Sequence, residues 1–338
     1  MTTSSALPTT ALGSDGTRVS VQGYGAMGIS EFYGPTDSTE ARATLEQALS
    51  LGITMFDTSD AYGIGHNDQF VGPFIRAHRE SVLLATKFGL VRRVDDPDYR
   101  GIDNSPAYLR KAVDASLRRL GIDVIDLYYM HRKQPGVPVE DTVAVMAELV
   151  AAGKVRQLGL SEVTGPELRA ACAVHPIAAV QSEWSLFSRD VENTAVPAAA
   201  ELGVTFVAYA PLSRGFLAGN IIAEHDLPAG DIRRTLPRFI GANARTNAEL
   251  LAPVREIAEA RGITTAQVAL AWVHSRARRH GLSVVPIPGT RHRARVIENV
   301  AAATIELTDD ELAALEPIAS RVAGTRYSDM AFASAGRE

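Results

Sequence analysis

Cysteine is almost absent from this chain. Cys172 stands alone among 338 residues, which excludes an internal disulfide and a Cys-rich zinc site. No stretch approaches the roughly 20 apolar residues needed to span a bilayer. Residues 1–10 are rich in Ser and Thr but lack a basic n-region and an apolar h-region, so a reducing, cytoplasmic location is the expectation. Dense basic runs are missing too: 34 Lys+Arg against 39 Asp+Glu leave a formal charge of −5, which argues against nucleic acid as a partner. No two of the eight histidines are two residues apart. With no His-x-His pair, we expect no catalytic metal.

What is present is an ordinary globular composition, 46% hydrophobic and 22% charged, which excludes a disordered chain, a collagen-like fibre and a coiled coil. After a flexible start (1–12) and a turn at 13–16, short β-rich runs alternate with stretches of helical period. The strand expectations are 21–24, 54–57, 82–86, 125–130, 155–160, 179–181, 204–209 and 283–286. Helices are expected at 38–50 (opening on a Ser38 cap), 105–120, 139–151, 166–173, 191–202, 246–261 and 294–302. Further helices at 264–279 and 308–321 lie outside the alternation, the last opening on a Thr308/Glu311 capping box.

Eight strands alternating with helices predict a parallel sheet covered on both faces. A closed (β/α)8 TIM barrel, residues 1–338 as a single domain with an N-terminal hairpin-like extension and extra C-terminal helices, accounts for all eight without an exposed edge. The doubly wound competitor would use Gly23, Gly25 and Gly28 as a dinucleotide turn, but that segment runs on into 29–35 rather than into a helix. Residues 211–245, after strand seven, are too long for a plain connection and read as a lid or binding loop.

In a barrel, residues at the C-terminal ends of strands face the active site. Here those positions hold Asp57, Lys87, His131, Ser161, Gln181 and Tyr209, with Tyr62 in the loop after Asp57. Taken singly, Asp57 reads as a helix cap, Lys87 as a structural ion pair, His131 as a half-buried histidine and Tyr62 as core. Together they form a proton-transfer set: a carboxylate keeps the lysine charged, and a cation beside a phenol lowers the phenol from its usual value of about 10. A phenol so tuned donates a proton to a carbonyl oxygen that is becoming an alkoxide.

These residues carry a resemblance. The segment Thr54-Met55-Phe56-Asp57-Thr58-Ser59-Asp60-Ala61-Tyr62-Gly63 resembles the signature of the aldo-keto reductases, and Lys87 and His131 complete that family's tetrad. The resemblance runs from about Gly23 to Asn299. It implies reversible reduction of aldehydes or ketones by hydride transfer from NADPH, with Tyr62 as general acid and Asp57, Lys87 and His131 beside it. A nucleotide-binding regulatory subunit on the same fold, with little turnover, is the alternative of a different class.

The resemblance also assigns cofactor residues. Ser161 and Gln181 match the carboxamide-binding positions, and many members carry Asn where Glu162 stands. Tyr209 matches the aromatic that stacks on nicotinamide, and Leu212, Ser213 and Arg214 match the pyrophosphate segment. Gly289, Thr290, Arg291 and Arg295 match the end that holds a 2′-phosphate, which favours NADP over NAD, since guanidinium forks suit phosphate oxygens. Glu298 and Asn299 match the adenine contacts. Phe32, Trp184 and Phe216 are the pocket candidates, followed by Tyr33, Met27 and Phe239. Core packing is the rival reading for Trp184 and Tyr209. Asn67 reads as holding the loop that carries Tyr62, and Cys172 as a small buried hydrophobe. The partner implied is a small carbonyl substrate, with no nucleic acid and no membrane. Whether the chain acts alone or as an oligomer is not written in these motifs.

Overall fold

Alternation of strand and helix closes the chain into a ring. The structure, a computed structural model, describes residues 7–96, 99–219, 227–331 and 333–337. It opens with an antiparallel hairpin, β1 (Thr9–Ala11) and β2 (Arg18–Ser20). Then come β3 (Tyr24–Gly25), β4 (Met55–Asp57) and β5 (Leu83–Phe88), and a small hairpin of β6 (Leu90–Val91) and β7 (Gly101–Ile102). After these follow β8 (Ile125–Met130), β9 (Val155–Ser161), β10 (Ile177–Glu183), β11 (Thr205–Tyr209) and β12 (Val284–Pro286). Eight of them pair in parallel in the order β12-β11-β10-β9-β8-β5-β4-β3. Gly23 N–H donates to the Pro286 carbonyl at 2.9 Å, which brings the first strand back to the last. This is the (β/α)8 architecture expected; seven of its strands overlap their expected segments broadly, while the first, expected at 21–24, is Tyr24–Gly25 and meets its segment only at Tyr24.

The helices are α1 (Ser38–Ser50), α2 (His66–Ala77), α3 (Pro106–Leu120), α4 (Val139–Ala151), α5 (Gly165–Val174) and α6 (Ala195–Leu202). They continue as α7 (Gly241–Glu249), α8 (Ala252–Arg261), α9 (Thr265–His280), α10 (Arg293–Ala301) and α11 (Asp309–Leu315). Several boundaries differ from expectation, each for a local reason. Asp37, not Ser38, caps α1, its carboxylate accepting from the Thr39 and Glu40 N–H groups. The helix expected at 191–202 starts only at Ala195, with Pro197 in its first turn. The one expected at 246–261 is two, α8 beginning anew with a proline in its first turn.

Two further expectations shift. The flexible start does not reach residue 12: Thr9–Ala11 form a strand, and Leu12 is fully buried. Residues 1–6 lie outside the described residues. Of the 211–245 loop, 220–226 also lie outside them; the flanking parts wind into 3-10 turns at Ser213–Ala218, Ile232–Thr235 and Pro237–Phe239 before α7 begins.

Two apolar layers result. Alternate strand residues Met55, Ala85, Leu127, Tyr129, Ala179, Val207 and Val285 fill the barrel interior. The opposite set packs against the helices. Leu12 belongs to the interior group, and Gly13 N–H donates to Thr205 Oγ1 at 3.0 Å, so the opening hairpin closes the N-terminal end of the barrel. The C-terminal end is left for the polar strand ends. Among the described residues no helix is long and apolar enough to cross a membrane.

Candidate functional site

Lys87 and Asp57 lie on the inner face of neighbouring strands, both buried. Lys87 Nζ pairs with Asp57 Oδ1. It also donates to the Thr58 carbonyl at 2.9 Å and to the Tyr62 hydroxyl at 3.5 Å. From β10, Gln181 donates its amide to the second Asp57 oxygen at 2.8 Å. Tyr62 sits in the turn after β4. Asn67 anchors that turn, accepting from Thr58 Oγ1 at 2.6 Å and donating to the Ala26 carbonyl at 3.0 Å and Ser30 Oγ at 2.7 Å. His131 follows β8. Its ring stands edge-on to Tyr62, centroids 5.7 Å apart at 87°, and its Nδ1 lies 3.1 Å from Ser59 Oγ. Asp57, Tyr62, Lys87 and His131 therefore form one contiguous group.

Burial sets the protonation states here. It pulls the Lys87 ammonium below its ordinary value, with Asp57 opposing. Burial likewise pushes the Tyr62 hydroxyl well up, the Asp57 charge adds to this, and Arg132 opposes. The expected lowering of Tyr62 by a neighbouring cation is thus reversed, because burial and then the Asp57 charge outweigh the cations beside it. Burial, then Arg132 and Lys87, holds the His131 imidazolium well below its usual value, so the ring is neutral at neutral pH.

The residues expected at the nicotinamide end surround this group, each with an internal partner. Ser161 Oγ accepts from Arg132 at 3.2 Å. The Tyr209 hydroxyl donates to Glu162 Oε1 at 2.7 Å and lies 3.2 Å from the Tyr327 hydroxyl. Glu162 has 0% exposure and a left-handed backbone, φ +52°. Its carboxylate also accepts from Arg326 at 3.1 Å and from the Glu183 and Ser334 N–H groups at 3.2 and 2.9 Å. Its part is therefore to anchor the C-terminal segment over the barrel mouth. Arg214, with φ +57°, donates to the Tyr33 and Tyr327 hydroxyls at 3.3 and 2.9 Å. Ser213 lies 3.2 Å from Ser185 Oγ, and Leu212 packs on the main core.

At the other end, Gly289 runs so close to Gly25 that a Cβ would lie 2.6 Å from its carbonyl oxygen. The Thr290 carbonyl accepts from the Tyr24 hydroxyl. Arg291 is bound otherwise than expected: its guanidinium donates to the carbonyls of Tyr33, Gly34 and Pro35 at 2.7, 2.8 and 2.8 Å. The nearby positive charge of Arg295 and Arg233, after burial, lowers its proton affinity. Arg295 is exposed, Glu298 gives its carbonyl to Gln267 at 3.1 Å, and Asn299 is buried.

Two pocket expectations are corrected. Trp184 is fully buried on the helix side of the sheet, its ring 4.8 Å from Phe206 and its indole N–H donating to Glu192 at 3.0 Å. The alternation that turns Gln181 inward turns Trp184 outward. Phe216 is buried between Phe187 and Phe239, at 5.4 and 5.3 Å. Phe32 remains partly exposed, in a left-handed conformation, its carbonyl accepting from Ile232 N–H at 2.9 Å.

Arg132, Arg326 and Tyr327 were not expected at the site. Arg132 could have been noticed as the cation next to His131. No local signal marks the other two, whose partners Glu162 and Tyr209 lie 164 and 118 residues away in the chain.

Comparison with known proteins agrees with this architecture. Residues 23–320 match the sequence model of the Aldo/keto reductase family. The glycerol dehydrogenase of Gluconobacter oxydans is 28% identical, with 95% of this chain and 96% of that one covered, at a TM-score of 0.79. An aldo-keto reductase from Klebsiella pneumoniae in complex with NADPH is 26% identical, covering 95% and 98%, at 0.72. The holo form of one from Bacillus halodurans is 26% identical, covering 96% and 100%, at 0.70.

Proposed function

The chain belongs to the aldo/keto reductase family, and on that premise we propose that it reduces aldehydes or ketones to alcohols with NADPH, Tyr62 giving the proton. The same residues serve alcohol oxidation in reverse. The observation that carries this reading is the buried Lys87 ammonium, paired with Asp57 and donating to the Tyr62 hydroxyl.

The residues present suit a phosphorylated dinucleotide. After burial, the charges of Arg295 and Arg233 lower the proton affinity of Arg291, a concentration of positive charge that a phosphate would relieve. Thr290 and Arg295 would hold the 2′-phosphate, Ser213 and Arg214 the pyrophosphate, Glu298 and Asn299 the adenine, and Ser161, Gln181 and Tyr209 the nicotinamide end. When bound, the cofactor supplies a hydride to the carbonyl carbon.

The remaining chemistry belongs to the chain. Tyr62 keeps its proton through neutral pH because burial and Asp57 disfavour the phenolate. It is therefore in the donor form when charge develops on the substrate oxygen. Once the proton has left, Lys87 and Arg132 are the cations that stabilise the phenolate. Asp57 keeps Lys87 charged against its own desolvation. His131, being neutral, has one N–H to offer and orients the oxygen rather than protonating it.

Tyr62→Phe tests the reading. Carbonyl reduction is expected to fall by about two to four orders of magnitude, while NADPH binding, followed by tryptophan fluorescence, is retained. Retained turnover in the variant would remove Tyr62 from the role of acid. Tight NADPH binding by the wild-type protein with no turnover on any aldehyde would favour the regulatory-subunit reading.

A further inference from the structure

We propose that Asp60, acting through the Ser59 hydroxyl, sets which ring nitrogen of His131 carries the proton. Asp60 thereby decides whether His131 offers a donor to the substrate oxygen. Asp60 is a positioning residue, and its consequence for turnover rests on the reductase reading above.

Ser59 Oγ is the junction. It accepts from the Ala61 backbone N–H at 3.1 Å and lies 3.1 Å from His131 Nδ1 and 3.3 Å from Asp60 Oδ1. A serine hydroxyl has one proton to give and two lone pairs to receive with. With Ala61 filling one lone pair, two arrangements link the charge state of Asp60 to the ring. In the first, a neutral Asp60 donates to Ser59 and Ser59 donates to His131 Nδ1. The ring proton must then sit on Nε2, the nitrogen turned away from Ser59. In the second, an ionised Asp60 accepts the Ser59 proton, His131 Nδ1–H donates to Ser59, and Nε2 is bare. A neutral imidazole has no third choice, and which tautomer is present follows from the bond its other nitrogen makes.

The surroundings let Asp60 change state within reach of experiment. Asp68 faces it from α2, Arg119 and Tyr108 from α3, and Tyr128 from β8. Burial raises its carboxyl most and the Asp68 charge adds to that; Arg119, Ser59 and the Ala61 backbone oppose. Its proton affinity is pushed up to about 8. His131 is faced by Arg132, Lys87 and Tyr62, and with burial the two cations keep the ring neutral, so its own titration does not intervene. The first arrangement holds below about pH 8 and the second above it.

The direct test is the tautomer. The full-length protein, labelled with 15N-histidine, is followed by long-range proton–nitrogen correlation from about pH 6 to about pH 10. Wild type is expected to pass from Nε2–H to Nδ1–H near pH 8. Asp60→Asn, which has no carboxyl to titrate, is expected to hold one tautomer at every pH. Ser59→Ala should break the coupling to Asp60. In turnover, wild-type kcat for carbonyl reduction should fall about tenfold per pH unit above 8, and Asp60→Asn should remove that limb with KM unchanged. A single tautomer across the range in wild type, or the same switch in Asp60→Asn, would overturn the relay. A switch in the spectra of a protein that reduces no carbonyl would leave the relay standing and sink the reductase reading instead.

Discussion

Glu162 is a charged side chain with no exposed surface, tolerated because five protein groups bond to it. Burial raises its carboxyl, but Arg326, Arg132, the Tyr209 hydroxyl and the Ser334 N–H outweigh that, holding it at about 2 against an ordinary 4.5. A carboxyl lowered in the folded state contributes stability that is fully present above its unfolded value. That stability is lost as pH falls from about 4.5 through about 2. Glu162→Gln leaves the Arg326 guanidinium, 4% exposed, without its main counter-charge, and breaking a buried pair in this way costs about 3–5 kcal/mol. Thermal melting should show a large drop for the variant at pH 7 that narrows below about pH 4. A difference independent of pH would mean that shape rather than charge matters at this position. The family pattern marks 162 as unusual; the purpose of its charge needs the tail that folds back onto it.

Helix α2 carries Gly72 and Pro73 in its middle, a pair that ordinarily marks a break, and no helix is expected there from the sequence. The helix forms because its apolar face, Phe70, Val71, Phe74 and Ile75, is buried, and packing outweighs weak propensity. Gly72 is there for contact. A Cβ would lie 2.8 Å from the Leu120 carbonyl oxygen, 3.1 Å from Leu120 Cα and 3.2 Å from the Arg119 oxygen, all of them backbone. Gly72→Ala gains up to about 1 kcal/mol of helix propensity but must push α2 off α3, an overpacking cost of about 1–3 kcal/mol. A lowered melting temperature is expected. An unchanged or raised one would show that the two helices part easily.

At the scale of the molecule, the barrel has a closed end and a chemical end. Leu12, fully buried, fills the closed end beside Met55, Leu127 and Val207, far from Tyr62 at the strand C-termini. Leu12→Ala should cost about 2–5 kcal/mol, read as a lower urea midpoint, with NADPH affinity unchanged. Weakened NADPH binding would mean that the two ends communicate through the core. The chemical end is covered by pieces from distant parts of the chain: the β3–α1 loop held by Arg291, the 3-10 turns after β11, and the C-terminal segment held by Glu162. Each piece is short, and each depends on the ring having closed.

What the sequence determined by itself is what local physics controls. Period-2 and period-3.6 patterns placed seven of the eight barrel strands and reached the edge of the first, Ser105 capped α3 and the Thr308/Glu311 capping box formed. The proton-transfer set was legible because strand ends converge in any barrel, so Asp57, Lys87 and His131 need only occupy those ends. Tertiary structure alone decided the rest. It turned Trp184 into the core, spent the Arg291 guanidinium on loop carbonyls, bound Glu162 to a tail over 160 residues away and raised Tyr62 where a cation was expected to lower it. These outcomes depend on which long-range partner arrives and on how much water it excludes. Neither quantity exists until the barrel closes.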